Sequence, residues 1–164
     1  MEEDAPEEPV FDFSVEKVEE AAASVQNPGE NVQLAIDYLQ TWESTQPSIF
    51  QACEVIMTSQ NLFAHYFAAL VLDHKIPLVW SMINEEDCNQ IRTFISQQIF
   101  NYNDNFLIIA TLARALAHIA VFDFPEKWSG YETYLFPENE NNVTFLILEA
   151  FFTDVEESKY ITGH

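Results

Sequence analysis

With 164 residues, 48% hydrophobic and 14% aromatic, the chain can bury a sizeable core, which excludes a wholly disordered protein. Its 27 acidic residues against 6 Lys and Arg give a formal net charge of -21, which argues against direct binding to nucleic acid or anionic membrane. The same charge would speed encounter with a basic partner, or would simply keep an aromatic-rich surface soluble.

Along the chain, apolar helical segments alternate with short polar breaks. Residues 1–13 read as a solvated acidic arm, with Glu2, Glu3, Asp4, Glu7 and Glu8 and two prolines. No apolar stretch follows the first residues directly, so no secretory signal is expected. Ser14 is placed to cap a helix over 14–26, with Val15, Val18, Ala22 and Val25 on one side. Asn27-Pro28-Gly29 forms a turn, and a second helix over 30–43 places Ala35, Leu39 and Trp42 inward. Pro47 starts a third helix that runs to about Met57. A fourth helix over 60–80 is apolar nearly all round and is expected to pack on most sides, with Pro77 kinking or stopping it. Asn84 caps a fifth helix over 85–100, whose first turn carries Glu85, Glu86 and Asp87 at the favourable end of the helix dipole.

The sixth helix, over 104–121, carries Thr111, Arg114 and His118 on one face. Its apolar stretch contains Arg114 and His118, so it reads as a buried helix rather than a membrane span. A seventh helix begins at Pro125 and an eighth covers 140–155. Asp154, Glu156 and Glu157 crowd the unfavourable end of that last helix, which points to a basic partner or to further sequence. Residues 158–164 read as a frayed tail. The pairs 14–43, 46–80, 85–121 and 125–155 give an all-α fold, an α-α superhelix of about four stacked antiparallel pairs of the HEAT/armadillo kind.

Catalytic chemistry has little to stand on. The 3 glycines lie far apart, so no glycine-rich loop cradles a phosphate, and no His lies in a metal-ligand spacing. Cys53 and Cys88 form no CxxC pair and read as reduced core thiols. The sequon Asn142-Val143-Thr144 reads as incidental. Trp42, Trp80 and Trp128 recur near helix ends, where they serve packing between repeats. No cofactor, no metal and no enzymatic activity are expected. A deep enclosed pocket would favour an enzyme instead.

One stretch carries a resemblance. Phe67, Ala68, Ala69 and Leu70, followed by Lys75-Ile76 and Trp80, resemble an inner helix of the importin-β superfamily of nuclear transport receptors. Residues 85–100 look like the outer helix that follows. The run from Leu112 to Phe124-Pro125-Glu126-Lys127-Trp128 resembles an inner helix entering the next repeat, although Ser129 stands where the family often has a second proline. The opening, with Asn27-Pro28 at its turn, is similar to the importin-thirteen and transportin-SR branch, with exportins next.

The resemblance implies amino-terminal HEAT repeats that bind the small GTPase Ran in its GTP form through inner helices. It implies a protein that shuttles between nucleus and cytoplasm. It further implies an amino-terminal piece of a longer receptor or a shortened relative, with cargo and nucleoporins as partners only if later repeats follow. By helical period, the polar residues on the inner helices are Asp37, Gln40, Asn61, His65, Thr111, Arg114, His118, Glu149 and Thr153, the candidate partner contacts. The alternative is a helical scaffold or complex subunit with no Ran-dependent role.

Overall fold

A computed structural model describes residues 11–102, 105–123 and 126–128, together with 146–147, 149–150 and 152–153. Among the described residues every regular element is helical, as expected for the all-α class. The elements are α1 (Val15–Gln26), α2 (Val32–Ser44), α3 (Ser48–Thr58), α4 (Leu62–Val79), α5 (Glu85–Gln98) and α6 (Phe106–Asp123), with short 3-10 turns at Trp80–Met82 and Ile99–Tyr102. Residues 146–147, 149–150 and 152–153 are also helical.

Local chemistry accounts for most of the boundaries. The Ser14 hydroxyl accepts from the Lys17 amide, the Asn61 side chain accepts from the amides of Phe63 and Ala64, and the Asn84 side chain accepts from the Asp87 amide. Each cap satisfies an amide that the helix itself leaves unpaired. Pro47 stands just before α3 rather than inside its first turn. Pro77 does not stop α4: the helix runs on to Val79 and then tightens into the 3-10 turn. The lost proline N–H removes one bond near the end, where few downstream bonds depend on it.

The helices pack as antiparallel neighbours, α1 with α2 and α3 with α4, and α6 lies along α4 as the most extensive contact between elements. The α4–α6 pair runs parallel, because Asp73 meets Arg114 and His118 while Trp80, further along, meets Asp123. Small residues line both helices, with Ala64, Ala68 and Ala69 buried on α4 and Ala113, Ala115, Ala117 and Ala120 on α6. They let the backbones approach closely, and Leu72, Ile76, Leu112, Leu116 and Ile119 fill the remaining space. α6 is long and apolar enough to cross a membrane, yet most of it is buried inside this core. A residue buried this completely contributes about 1.5–3 kcal/mol through burial of its apolar surface.

The first pair departs from regular stacking. α1 packs against α4 more extensively than α2 does, so α2 is held away from α4 on the open side. Buried Ala21 and Ala22 leave α1 slim enough to take that place. Phe11 and Phe13, assigned by composition to the solvated arm, pack instead on this pair. Their ring centroids lie 5.0 Å from Tyr38 and 5.8 Å from Trp42. Two aromatic rings near apolar partners are worth burying even beside acidic neighbours.

A buried polar node fastens the far end of the stack. Asp123 accepts from Trp80 Nε1 at 3.0 Å and pairs with Arg92. The Arg92 guanidinium also donates to Asn89 Oδ1 at 2.7 Å and lies 5.4 Å from the centre of the Trp128 ring. Four segments therefore meet at one ion pair: α5, α6, residues 126–128 and the 3-10 turn that follows α4. The expected seventh helix otherwise lies outside the described residues, as do Asp154, Glu156 and Glu157.

Candidate partner-binding face

The sides of α2, α4 and α6 that are not packed against other helices form one surface. On α4 it carries Phe67, Leu70 and His74. On α6 it carries Leu107, Ala110, Arg114 and His118. Leu146, Glu149, Ala150 and Thr153 lie against α6, where with Ala110 and Arg114 they line a shallow recess.

The centre of this face is a charge cluster. Asp73 is largely buried, with 7% of its side chain exposed, and Arg114 Nε donates to its Oδ2 at 2.9 Å. His118 Nε2 lies 3.2 Å from the other oxygen, an ion pair when the imidazole is protonated. Burial pushes the Asp73 carboxyl up, but His118 and Arg114 outweigh it and hold the group below its ordinary value. Arg114 keeps 45% of its side chain exposed, so it serves the cluster while presenting a cation to solvent.

Between α2 and α4 lies an apolar groove of about 220 Å³. Ile36, Leu39, Phe67, Leu70 and Val25 line it, and Gln40, Glu43 and His74 supply its polar rim. Glu43 Oε1 and His74 Nδ1 stand 2.7 Å apart across it. The groove exists because α1 spaces α2 from α4.

The nine candidate contacts divide accordingly. Asp37 and Gln40 are exposed on α2, although Asp37 also accepts from Gln33 Nε2 at 2.8 Å. Arg114 and His118 come together at Asp73, and Glu149 and Thr153 are exposed beside them. The other three do not present a free side chain to that face: one caps a helix, one is turned away and one is buried. Asn61 is the α4 cap. His65 points away from the open face, with Nε2 2.9 Å from the Ser59 carbonyl oxygen and Nδ1 2.8 Å from the Tyr102 hydroxyl. Thr111 is 2% exposed and donates its hydroxyl to the Leu107 carbonyl at 2.7 Å. Helical period assigned these three to a face by angle, but Asn61 and Thr111 are held by their own helices and His65 by Ser59 and Tyr102.

Asp73, Glu43 and His74 were not singled out from the sequence. For Asp73 a signal was present: it is the sole carboxylate of the mostly apolar α4, whose other polar groups are His65, His74 and Lys75. A lone acid in an apolar helix needs a buried partner, and Arg114 or His118 on the neighbouring polar stripe could have been named. For Glu43 and His74 there was no comparable signal, because the sideways shift of α2 creates their contact.

Among the described residues this fold is that of a helical-repeat protein, with paired helices stacked side by side. Residues 35–101, which span nearly all of α2 and all of α3, α4 and α5, match the family model described as the importin-beta N-terminal domain. The match supports kinship with the importin-β superfamily and singles out none of its branches. No curated protein matches the chain.

Proposed function

We propose that the chain is the amino-terminal part of a nuclear transport receptor and binds Ran in its GTP form through the open face of α2, α4 and α6. The observation that carries this reading is the match to the importin-beta N-terminal domain, which covers two of the three helices forming that face. The role is binding without chemistry. Asp37, Gln40, Arg114, Glu149 and Thr153 are exposed there, and His118 is partly exposed beside Asp73.

The mechanism is linkage. A GTPase that engages this face more strongly in one nucleotide state shifts the receptor's affinity for any second ligand, and that ligand shifts the GTPase affinity by the same factor. The net charge of -21 favours approach of a basic surface. Such a receptor shuttles between nucleus and cytoplasm, carrying protein cargo and meeting nucleoporins where further repeats follow. The resemblance of the opening segment, with Asn27-Pro28 at its turn, favours the importin-thirteen and transportin-SR branch.

The test is capture of purified Ran on the immobilised chain, loaded with a non-hydrolysable GTP analogue or with GDP. Preferential retention of the GTP form supports the reading. Equal retention, or none, opposes it and favours a scaffold whose partner is indifferent to nucleotide.

A further inference from the structure

We propose that Thr153 is a phosphorylation site for an acid-directed protein kinase, and that its phosphate pairs with Arg114. The sequence sets Thr153 apart from the other serines and threonines. Asp154, Glu156 and Glu157 follow it, so carboxylates stand one, three and four residues after the acceptor. Of all the Ser and Thr residues in the chain, Thr153 alone has acids at both the first and the third following positions. The pattern is local and does not merely reflect a net charge of -21. Kinases select substrates by such charge patterns, and carboxylates after the acceptor suit a basic substrate groove. The side chain is also accessible: Thr153 is exposed, and its hydroxyl donates to the Glu149 carbonyl oxygen at 2.9 Å in a neutral, solvent-exposed bond.

In the transfer, Thr153 Oγ1 attacks the γ-phosphorus of a nucleoside triphosphate. A P–Oγ1 bond forms as the bond from that phosphorus to the β–γ bridging oxygen breaks. The hydroxyl proton passes to the kinase's base, and the nucleoside diphosphate leaves. The new ester carries a charge of about -2 at neutral pH. Arg114 lines the same recess as Thr153 and keeps 45% of its side chain exposed while Nε and Nη2 hold Asp73. A guanidinium presents its N–H donors in a planar fork that matches phosphate oxygens, so it can bind the new group and keep Asp73. Glu149 lines the recess too, four residues before the acceptor, and repels the phosphate. That repulsion acts between solvated groups and is weak beside a charge-assisted guanidinium–phosphate pair. The phosphate therefore ties Thr153 to α6 and screens the exposed cation of Arg114.

No GTPase enters the test, so its outcome is separate from the reading above. The full chain is incubated with ATP and either casein kinase II, an acid-directed enzyme, or protein kinase A, which selects basic substrates. Phosphorylated positions are located by tandem mass spectrometry. The expected result is that casein kinase II labels Thr153 as the main site and protein kinase A does not label it. Thr153→Ala should lose most of the incorporation, and Thr153→Ser should keep it. Phosphorus-31 NMR then follows the second ionisation of the phosphate, whose midpoint is about 6 in a free ester. The midpoint should lie about half a unit lower in the wild type than in Arg114→Gln, because a half-exposed cation favours the dianion. If Arg114→Gln impairs folding by circular dichroism, the phosphorylated wild type unfolded in urea is the reference, and the folded midpoint should be the lower. No incorporation at Thr153, incorporation unchanged in Thr153→Ala, or equal labelling by the two kinases would overturn the acceptor assignment. A midpoint equal to or above that of the reference would overturn the pairing with Arg114.

Discussion

Arg114 on α6 donates to Asp73 on α4 across 41 residues of sequence, at 2.9 Å. The contact joins the two helices of the largest packing interface and leaves the guanidinium half open to solvent on the face proposed to meet a partner. One side chain thus belongs both to the stack and to its surface, and changes to it should be read in both.

Arg114→Ala leaves the buried Asp73 carboxylate with His118 alone. The expected cost is about 1–3 kcal/mol, the range for stranding a largely buried hydrogen-bonded group. Urea unfolding of the variant beside the wild type measures it, and an unchanged midpoint would show that the pair contributes nothing.

The acid dependence follows from the depressed Asp73 value. A carboxyl held below its unfolded value of about 3.9 contributes stability that is fully present above that value. The contribution is lost as pH falls through the lower folded value. Asp73→Asn should therefore be less stable than wild type near neutral pH, and the difference should shrink as pH falls below about 4. Unfolding curves at a series of pH values report the sign directly. A gap that widens on acidification would reverse the assignment.

Arg92 and Asp123 form the buried pair that also holds Trp80. Arg92→Met should destabilise by about 3–5 kcal/mol, because Asp123 is left as an uncompensated buried charge. Adding Asp123→Asn should recover part of that loss, so that the double variant costs less than the sum of the singles. Additive costs in a double-mutant cycle would mean that the two groups do not interact.

Burial pushes the Cys53 thiol up to about 12, so little thiolate exists at neutral pH. Cys88 is raised too, with burial the largest cause, and its sulfur lies 3.8 Å from the Trp80 carbonyl oxygen. Both thiols should react with Ellman's reagent slowly in the folded protein and rapidly in denaturant. Fast reaction of either without denaturant would contradict the packing described.

The sequence revealed most of the helices, because apolar periodicity and the caps Ser14 and Asn84 are local signals that tertiary packing left intact. Pro77 shows where local rules fall short: near a helix end a proline removes a bond on which little else depends, and α4 continues. The face was harder to read. Period alone gives an angle around a helix, and His65 and Thr111 have the angle yet are claimed by Ser59, Tyr102 and the Leu107 carbonyl. The groove itself was illegible, because it depends on α1 lying nearer α4 than α2 does, a matter of how helices settle against one another.

The account rests most heavily on a partner that reads this face according to nucleotide state. The most direct measurement is the dissociation constant of the chain for Ran loaded with a GTP analogue and for Ran loaded with GDP, by biolayer interferometry. The account predicts tighter binding of the GTP form by about tenfold or more, within the usual range of such couplings. Equal constants, or no binding of either form, would contradict it.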